Sequence, residues 1–319
     1  MIKPTDSSLI KSQFNSFEEY QLYIRGWGLE FEQLDYGRFQ SDTSQIMTPD
    51  IIITETRFNR RLVVQGNPPP GMRTFALLAA DASPFVWRKH EMTKENFAIF
   101  PKGGELHATN LEGFHVYTLS LAEHLVEEKL HQEESHALAI KLQQGGVLKV
   151  IASKLNGLRS YVTHVFSMVN QCPQLMAQPQ FQQRLRDELA NHIFDILALG
   201  KESSLTRSFQ KHVQIVKNIE DYVADTDPEL FSVAELSSTF HINERTLRRI
   251  FIEWYGVSPQ QYLLAIRLNG VRKELIKPHS QTTLINDVAS RFGFWHMGRF
   301  ASYYKRQFSE LPSETLSRG

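Results

Sequence analysis

Three arginines, Arg245, Arg248 and Arg249, stand within five residues of one another, with Thr246 among them. A guanidinium can donate two parallel hydrogen bonds to the O6 and N7 of guanine, a contact that discriminates between bases by about 1–3 kcal/mol. A second polar group follows at His296, Met297, Arg299 and Ser302, and then at Lys305 and Arg306. It holds fewer arginines for base edges, and its Lys-Arg pair suits phosphate oxygens, which position a protein on a duplex without reading sequence. From Glu244 to Gly319 there are 12 Lys and Arg against 6 Asp and Glu, whereas Met1 to Asn243 carries 23 against 29; the net zero of the chain hides +6 in one part and −6 in the other. That asymmetry is the electrostatic footprint of a nucleic-acid-binding part joined to a part that is not. The plainer alternative is a solvated helix face whose arginines pair with Glu244 and Glu253.

The elements that must present these residues are written twice. Val233 to Pro259 reads VAELSSTFHINERTLRRIFIEWYGVSP, and Ile285 to Pro312 reads INDVASRFGFWHMGRFASYYKRQFSELP. An offset of 52 pairs Val233 with Ile285, Leu236 with Val288, Phe240 with Phe292 and Ile242 with Phe294; an offset of 53 then pairs Leu247 with Phe300, Phe251 with Tyr304, Tyr255 with Phe308 and Pro259 with Pro312. The apolar skeleton repeats and the polar residues do not. Each copy has the grammar of a helix-turn-helix, with expected units over 232–255 and 285–308. Ser232 with Glu235 caps one helix of the first copy, and Asn243 with Thr246 caps the next. Burying Leu247, Ile250 and Phe251 leaves the arginines on the outside. Gln260 to Lys277, with Tyr262, Leu264, Leu268, Val271 and Leu275 at helical spacing and Pro278 as the stop, predicts one connecting helix. Two such units in one chain would enter successive major grooves of double-stranded DNA about 34 Å apart.

These residues carry a resemblance. Leu247-x-Arg249-x-Phe251 with Gly256-Val257-Ser258-Pro259, Ile266-Arg267-Leu268, Asp287-Val288-Ala289, Gly293-Phe294 and Phe308-x-x-x-Pro312 together resemble the tandem helix-turn-helix domain of the AraC/XylS family of bacterial transcription regulators. The stretch GFWHMGRFASYYKRQF is also similar to the branch that holds ethanolamine-utilisation regulators. Two positions depart from the family pattern: Ser302 stands where Arg is common, and Ser309 where Gly is common. The resemblance implies activation of transcription, contact with RNA polymerase, a cupin-like N-terminal regulatory domain and dimerisation helices.

The N-terminal half has its own texture. Extended runs at Leu29–Gln33, Ile51–Thr54, Arg61–Val64, Thr74–Leu78, Phe85–Trp87, Phe97–Phe100 and His115–Leu119 alternate with Gly and Pro punctuation, which argues for a small barrel or sandwich. From Ala122 to Gly200 the chain reads as helices. Leu148, Ile151, Leu155, Leu158, Val162, Val165 and Val169 recur at intervals of 3 and 4, a stripe that either seams a homodimer or packs on the chain's own β-domain. Lys201-Glu202-Ser203-Ser204 is the expected joint, and a helix from His212 to Val223, stopping near Asp227-Pro228, opens the C-terminal domain. The whole is expected to be α+β: a cupin-like β-barrel with dimerisation helices over 1–200, and an all-α DNA-binding domain over 207–319.

The start of the chain carries no signal-like apolar core and no run suits a membrane span, so a cytoplasmic, nucleoid-associated protein is expected. The single Cys172 has no partner for a disulfide or zinc site. His107 and His115, with Glu105 beside the first, are too few and too scattered for a metal. There is no phosphate loop or nucleophile elbow, so neither a cofactor nor an enzyme is expected. Trp87, His107 and Tyr117 are the residues that would line a small-molecule effector site inside the barrel, or else its packed core. The reading at this stage is a sequence-specific DNA-binding regulator under effector control. The alternatives are an effector-independent oligomeric regulator whose barrel is only an assembly module, and a cupin enzyme with a DNA-binding appendage.

Overall fold

Side chains that alternate across strands build the N-terminal half as two antiparallel sheets. In chain order its elements are β1 (Ser8–Phe14), α1 (Phe17–Tyr23), β2 (Gly28–Gln33), β3 (Ser41–Met47), β4 (Ile51–Phe58), β5 (Leu62–Asn67), β6 (Met72–Leu78), β7 (Phe85–Trp87), β8 (His90–Met92), β9 (Asn96–Ile99), β10 (Leu106–Asn110) and β11 (Phe114–Ala122). Then come α2 (Glu123–Glu133), α3 (His136–Gln144), β12 (Gly146–Lys149), α4 (Ala152–Gln171), α5 (Pro179–Leu199) and the two-residue β13 (Lys201–Glu202). This computed structural model describes residues 8–24, 26–87, 90–104, 106–203, 207–226, 232–277 and 284–318; Glu105, Ser204, Asp227, Pro228 and Pro278, all used in the sequence reading, lie outside them.

The large sheet runs β1-β3-β4-β11-β6-β9-β12-β13 and the small one β2-β5-β10-β7-β8. Every run expected to be extended lies in or overlaps a strand. The strands that sequence patterning missed are short or polar: β3 buries Ser41, Thr43 and Gln45 where a core strand would show apolar residues. The expected barrel is not closed among the described residues. Closure would need β2, at the end of the small sheet, to pair with the large one; its free edge is turned instead toward the C-terminal domain.

The helical passage from Ala122 to Gln144 breaks in two because Glu134 takes a left-handed φ of 47° and the Ser135 side chain then caps α3 at the Leu138 N–H. The expected heptad stripe needs a larger correction. Leu148 belongs to a strand, and Ile151 is the exposed residue before α4. Leu155, Leu158, Val162, Val165 and Val169 are indeed on one face of α4, but within this single chain they are already buried to 1% exposure or less. A stripe covered by its own sandwich and by α5 is not free to seam a dimer. Tyr117 on the outer face of β11 reaches Thr163 of α4 at 3.4 Å, which sets the helix against that face of the large sheet.

The C-terminal domain is helical throughout: α6 (Arg207–Asp225), α7 (Val233–Thr239), α8 (Glu244–Tyr255), α9 (Pro259–Ile276), α10 (Ile285–Arg291), α11 (Met297–Phe308) and α12 (Pro312–Leu316). No helix among the described residues is long and apolar enough to cross a membrane.

Candidate nucleic-acid interface

The first helix-turn-helix is α7 and α8. The Ser232 hydroxyl accepts the Glu235 N–H at 3.0 Å and Asn243 Oδ1 accepts the Thr246 N–H at 2.8 Å, so both helices start where the capping residues predicted. Between them His241 takes the left-handed turn at φ 53°. Gly256, at φ 68°, then ends α8 in a conformation that glycine adopts without strain. Leu247, Ile250, Phe251, Trp254 and Tyr255 point inward, which leaves Arg245, Arg248 and Arg249 exposed and Thr246 half-buried. Among the described residues, these three arginines make no ion pair. Glu253, one of their candidate partners, pairs instead with His212 at 3.3 Å. Free guanidiniums on the outer face of a recognition helix can serve base edges or phosphates.

The second unit, α10 and α11, has the same frame with weaker punctuation. No side chain caps α11, and Ser309 occupies the left-handed position, φ 58°, that Gly256 fills in the first copy. His296, Arg299, Ser302 and Lys305 are exposed and Met297 is half-buried. The Ser302 hydroxyl donates back to the Gly298 carbonyl at 2.9 Å, so its proton is already committed. Arg306 is correctly placed on the helix surface but is not free: its guanidinium stacks over Tyr36 of the sandwich, 4.0 Å from the ring centre.

Two residues of this surface were not singled out in the sequence. Arg267, read there as part of a connecting helix, lines one groove with Arg245 and Arg248 and lies over the ring of Phe294 in the second unit at 5.6 Å. Burial lowers its pKa, and its Nε has no hydrogen-bond partner. Its position inside a helical period concealed it. Trp295, just before α11, is 67% exposed. A large aromatic residue in a turn was a visible signal, passed over for the charged residues beside it.

Between the two sheets lies a cavity of about 70 Å³, walled by Trp27, Phe31, Phe58, Trp87, Phe100 and Phe114 among others. Among the described residues, no charged side chain lines it. Three of its polar members are engaged elsewhere: Thr56 with Tyr20, Thr54 with Gln45, and Asn110 with backbone groups of Leu62 and Arg60. Of the three expected effector residues only Trp87 faces this space. Strand alternation puts Leu106 and Ala108 inside and turns His107 out, where its Nε2 lies 3.4 Å from Glu220 of α6. Val116 and Thr118 likewise face in and Tyr117 faces out toward Glu55 and Thr163. His115 is buried on that outer side, with Nδ1 2.5 Å from Asp81 and Nε2 2.8 Å from Glu55. Its hydrogen bonds hold both carboxyls below the ordinary range. The two histidines considered as metal ligands thus go to separate partners.

Comparison with known proteins adds four likenesses. The family described as "Helix-turn-helix domain" matches residues 236–318. "XylDLEGF operon transcriptional activator 2" of Pseudomonas putida is 32% identical over 134 residues, covering 40% of this chain and 85% of that protein; "XylDLEGF operon transcriptional activator 3" of the same organism is 23% identical over 174 residues, covering 54% and 51%. The matched region thus spans about half the length of the latter relative. Among solved structures, a probable AraC family transcriptional regulator from Rhodopseudomonas palustris is 28% identical, with a TM-score of 0.30, over 33% of this chain and 96% of the other.

Proposed function

The chain belongs to the AraC/XylS family of bacterial transcription regulators, and on that premise we propose that it binds operator DNA sequence-specifically through α8 and α11 and activates transcription in contact with RNA polymerase. The observation that carries this is the pair of repeated units whose outward residues are cationic and, in the first copy, unpaired. The two units divide the work. α8 reads bases through Arg245, Thr246, Arg248 and Arg249, while α11, with Ser302 self-bonded and Arg306 stacked on Tyr36, positions the protein through Arg299, Lys305 and the ring of His296.

The test is binding to a randomised duplex library at several salt concentrations. Arg248→Ala should relax preference at one base pair, and Lys305→Ala should weaken all sequences alike and reduce the salt slope by about 1. Equal, sequence-independent losses at both positions would refute the division.

The effector site is the cavity between the sheets. Its volume, about 70 Å³, is room for roughly five water-sized probes. Among the described residues its walls offer no counter-charge, so a charged ligand would forfeit its hydration there. The cavity therefore suits a small, uncharged, largely apolar molecule. A panel of neutral aromatic and alkyl compounds should raise Tm, with carboxylate analogues inert; the reverse order would sink this reading. Any homodimer must use a surface other than the inward stripe of α4.

A further inference from the structure

The two reading units do not share one core. Leu247, Phe251 and Trp254 of the first cluster with Tyr262, Leu263 and Ala265 from the start of α9, whereas Phe294, Phe300 and Tyr304 of the second cluster with Leu268, Val271 and Leu275 from its end. The changeover falls between Ala265 and Leu268, so a single helix joins the two units. The sandwich reaches across this joint. At its middle, the buried Asn269 accepts the Gln33 N–H through Oδ1 at 3.0 Å and donates through Nδ2 to the Gln33 carbonyl at 2.9 Å. On one side, the Gly37 N–H donates to the carbonyls of Arg306 and Gln307 at the C-terminal end of α11, at 3.2 and 3.0 Å. On the other, Arg61 Nη1 donates to the Gly256 carbonyl at the C-terminal end of α8, at 3.1 Å. The two grips are tied directly: the Leu34 N–H donates to the Arg61 carbonyl at 2.8 Å, and the Arg61 N–H to Asp35 Oδ1 at 3.0 Å. Meanwhile Arg245, Arg248, Arg249 and Arg299, nearer the other ends of the two helices, stay exposed.

We propose that Gln33–Gly37 and Arg61 form a splint that sets the separation and relative rotation of the two recognition helices, so that the docked chain accepts one spacing between its half-sites. This rests on the proposed DNA reading by two units. A change of one base pair displaces a half-site by about 3.4 Å along the duplex and turns it by about 35°, more than a joint gripped on both sides can follow. The splint leaves the base-reading ends uncovered, so it positions them without blocking them.

The test uses the full chain and duplexes in which the centre-to-centre distance of the selected half-sites is lengthened or shortened by one base pair, together with a duplex carrying the first half-site alone. The wild type should lose at least tenfold in affinity on either change of spacing. The double variant Asn269→Ala with Arg61→Ala should lose less than about threefold, with unchanged affinity for the lone half-site. Should burial of Asn269 make that variant unfold, Arg61→Ala alone, at a partly exposed position, removes the grip on the first unit and should show a reduced spacing penalty in a folded chain. A spacing penalty equal to the wild type's in a folded variant overturns the splint, as does an equal loss on every duplex. Failure of the wild type to bind either half-site overturns the DNA reading, and the splint with it.

Discussion

Arg272 shows at the scale of one residue how the two halves of the chain are joined. Its side chain, 5% exposed, sends Nε and Nη2 to Glu18 of the sandwich at 2.8 and 3.1 Å and Nη1 to Glu310 beyond α11, while the rings of Phe17 and Phe308 lie 5.0 and 4.8 Å from the guanidinium carbon. Burial opposes the charge, but the hydrogen bonds and charge of Glu18 outweigh it and raise the pKa further. Removing one partner of such a group leaves buried charges uncompensated, so Arg272→Ala should cost about 3–5 kcal/mol in chemical denaturation; a loss under about 1 kcal/mol would mean the pair is solvated. Two classes of carboxyl give opposite pH responses. Glu310, raised by burial but lowered more by Arg272 and its hydrogen bonds, lies below its ordinary value, so its contribution is present above about pH 4.3 and is lost as pH falls. Glu220, raised chiefly by burial, binds its proton more tightly folded than unfolded, so stability declines as pH rises above about 4.3 toward its folded value. Glu220→Gln should therefore raise Tm at neutral pH and flatten its decline from acid to neutral. An unchanged Tm profile would exclude Glu220 as a source of that slope.

Among the elements, α4 separates what could be read from what could not. Its periodicity was legible, and so was the face it would bury; which partner that face meets was not, because a stripe against one's own sheet and a stripe against a second copy have the same spacing. The ends of α7 and α8 were legible for a different reason: Ser232 and Asn243 act within three residues of themselves. Strands β3 and β10 were invisible because their buried Gln45 and Asn110 are satisfied by partners elsewhere in the chain. Of Trp87, His107 and Tyr117 only Trp87 faces the cavity between the sheets, a one-residue question of the phase of the alternation. For α4 the consequence is testable. Leu155→Asp buries a carboxylate at a site of 0% exposure and should unfold the chain or lower its stability by more than about 3 kcal/mol. Cleanly folded monomers by light scattering would return the stripe to a dimer seam.

In the whole molecule the two apolar clusters ignore the expected boundary near residue 200. Leu34, Val63 and Val86 of the sandwich pack in one cluster with the first reading unit, and the second unit joins the cluster that fills the sandwich. Calorimetry of the full chain should therefore give one cooperative transition. Two resolved endotherms would mean that the halves unfold independently and that the interface contributes little. The legible part at this scale was the presence of two regions of different texture and charge. Their mutual burial was not, since its contacts join residues far apart in the chain: 195 positions separate Arg61 from Gly256, and 236 separate Gln33 from Asn269.

The same pair has a consequence for how the protein keeps itself from sticking to its own kind. β2 ends the small sheet, and the outward N–H and C=O of its last residue would, if bare, offer a template to any passing extended chain. The Asn269 amide supplies one acceptor and one donor in the places where a neighbouring strand would have put them. A helix thus passes for a strand over the width of a single residue. Freeing the two halves from each other would lift that disguise, so conditions that separate them should be the conditions under which the protein begins to aggregate.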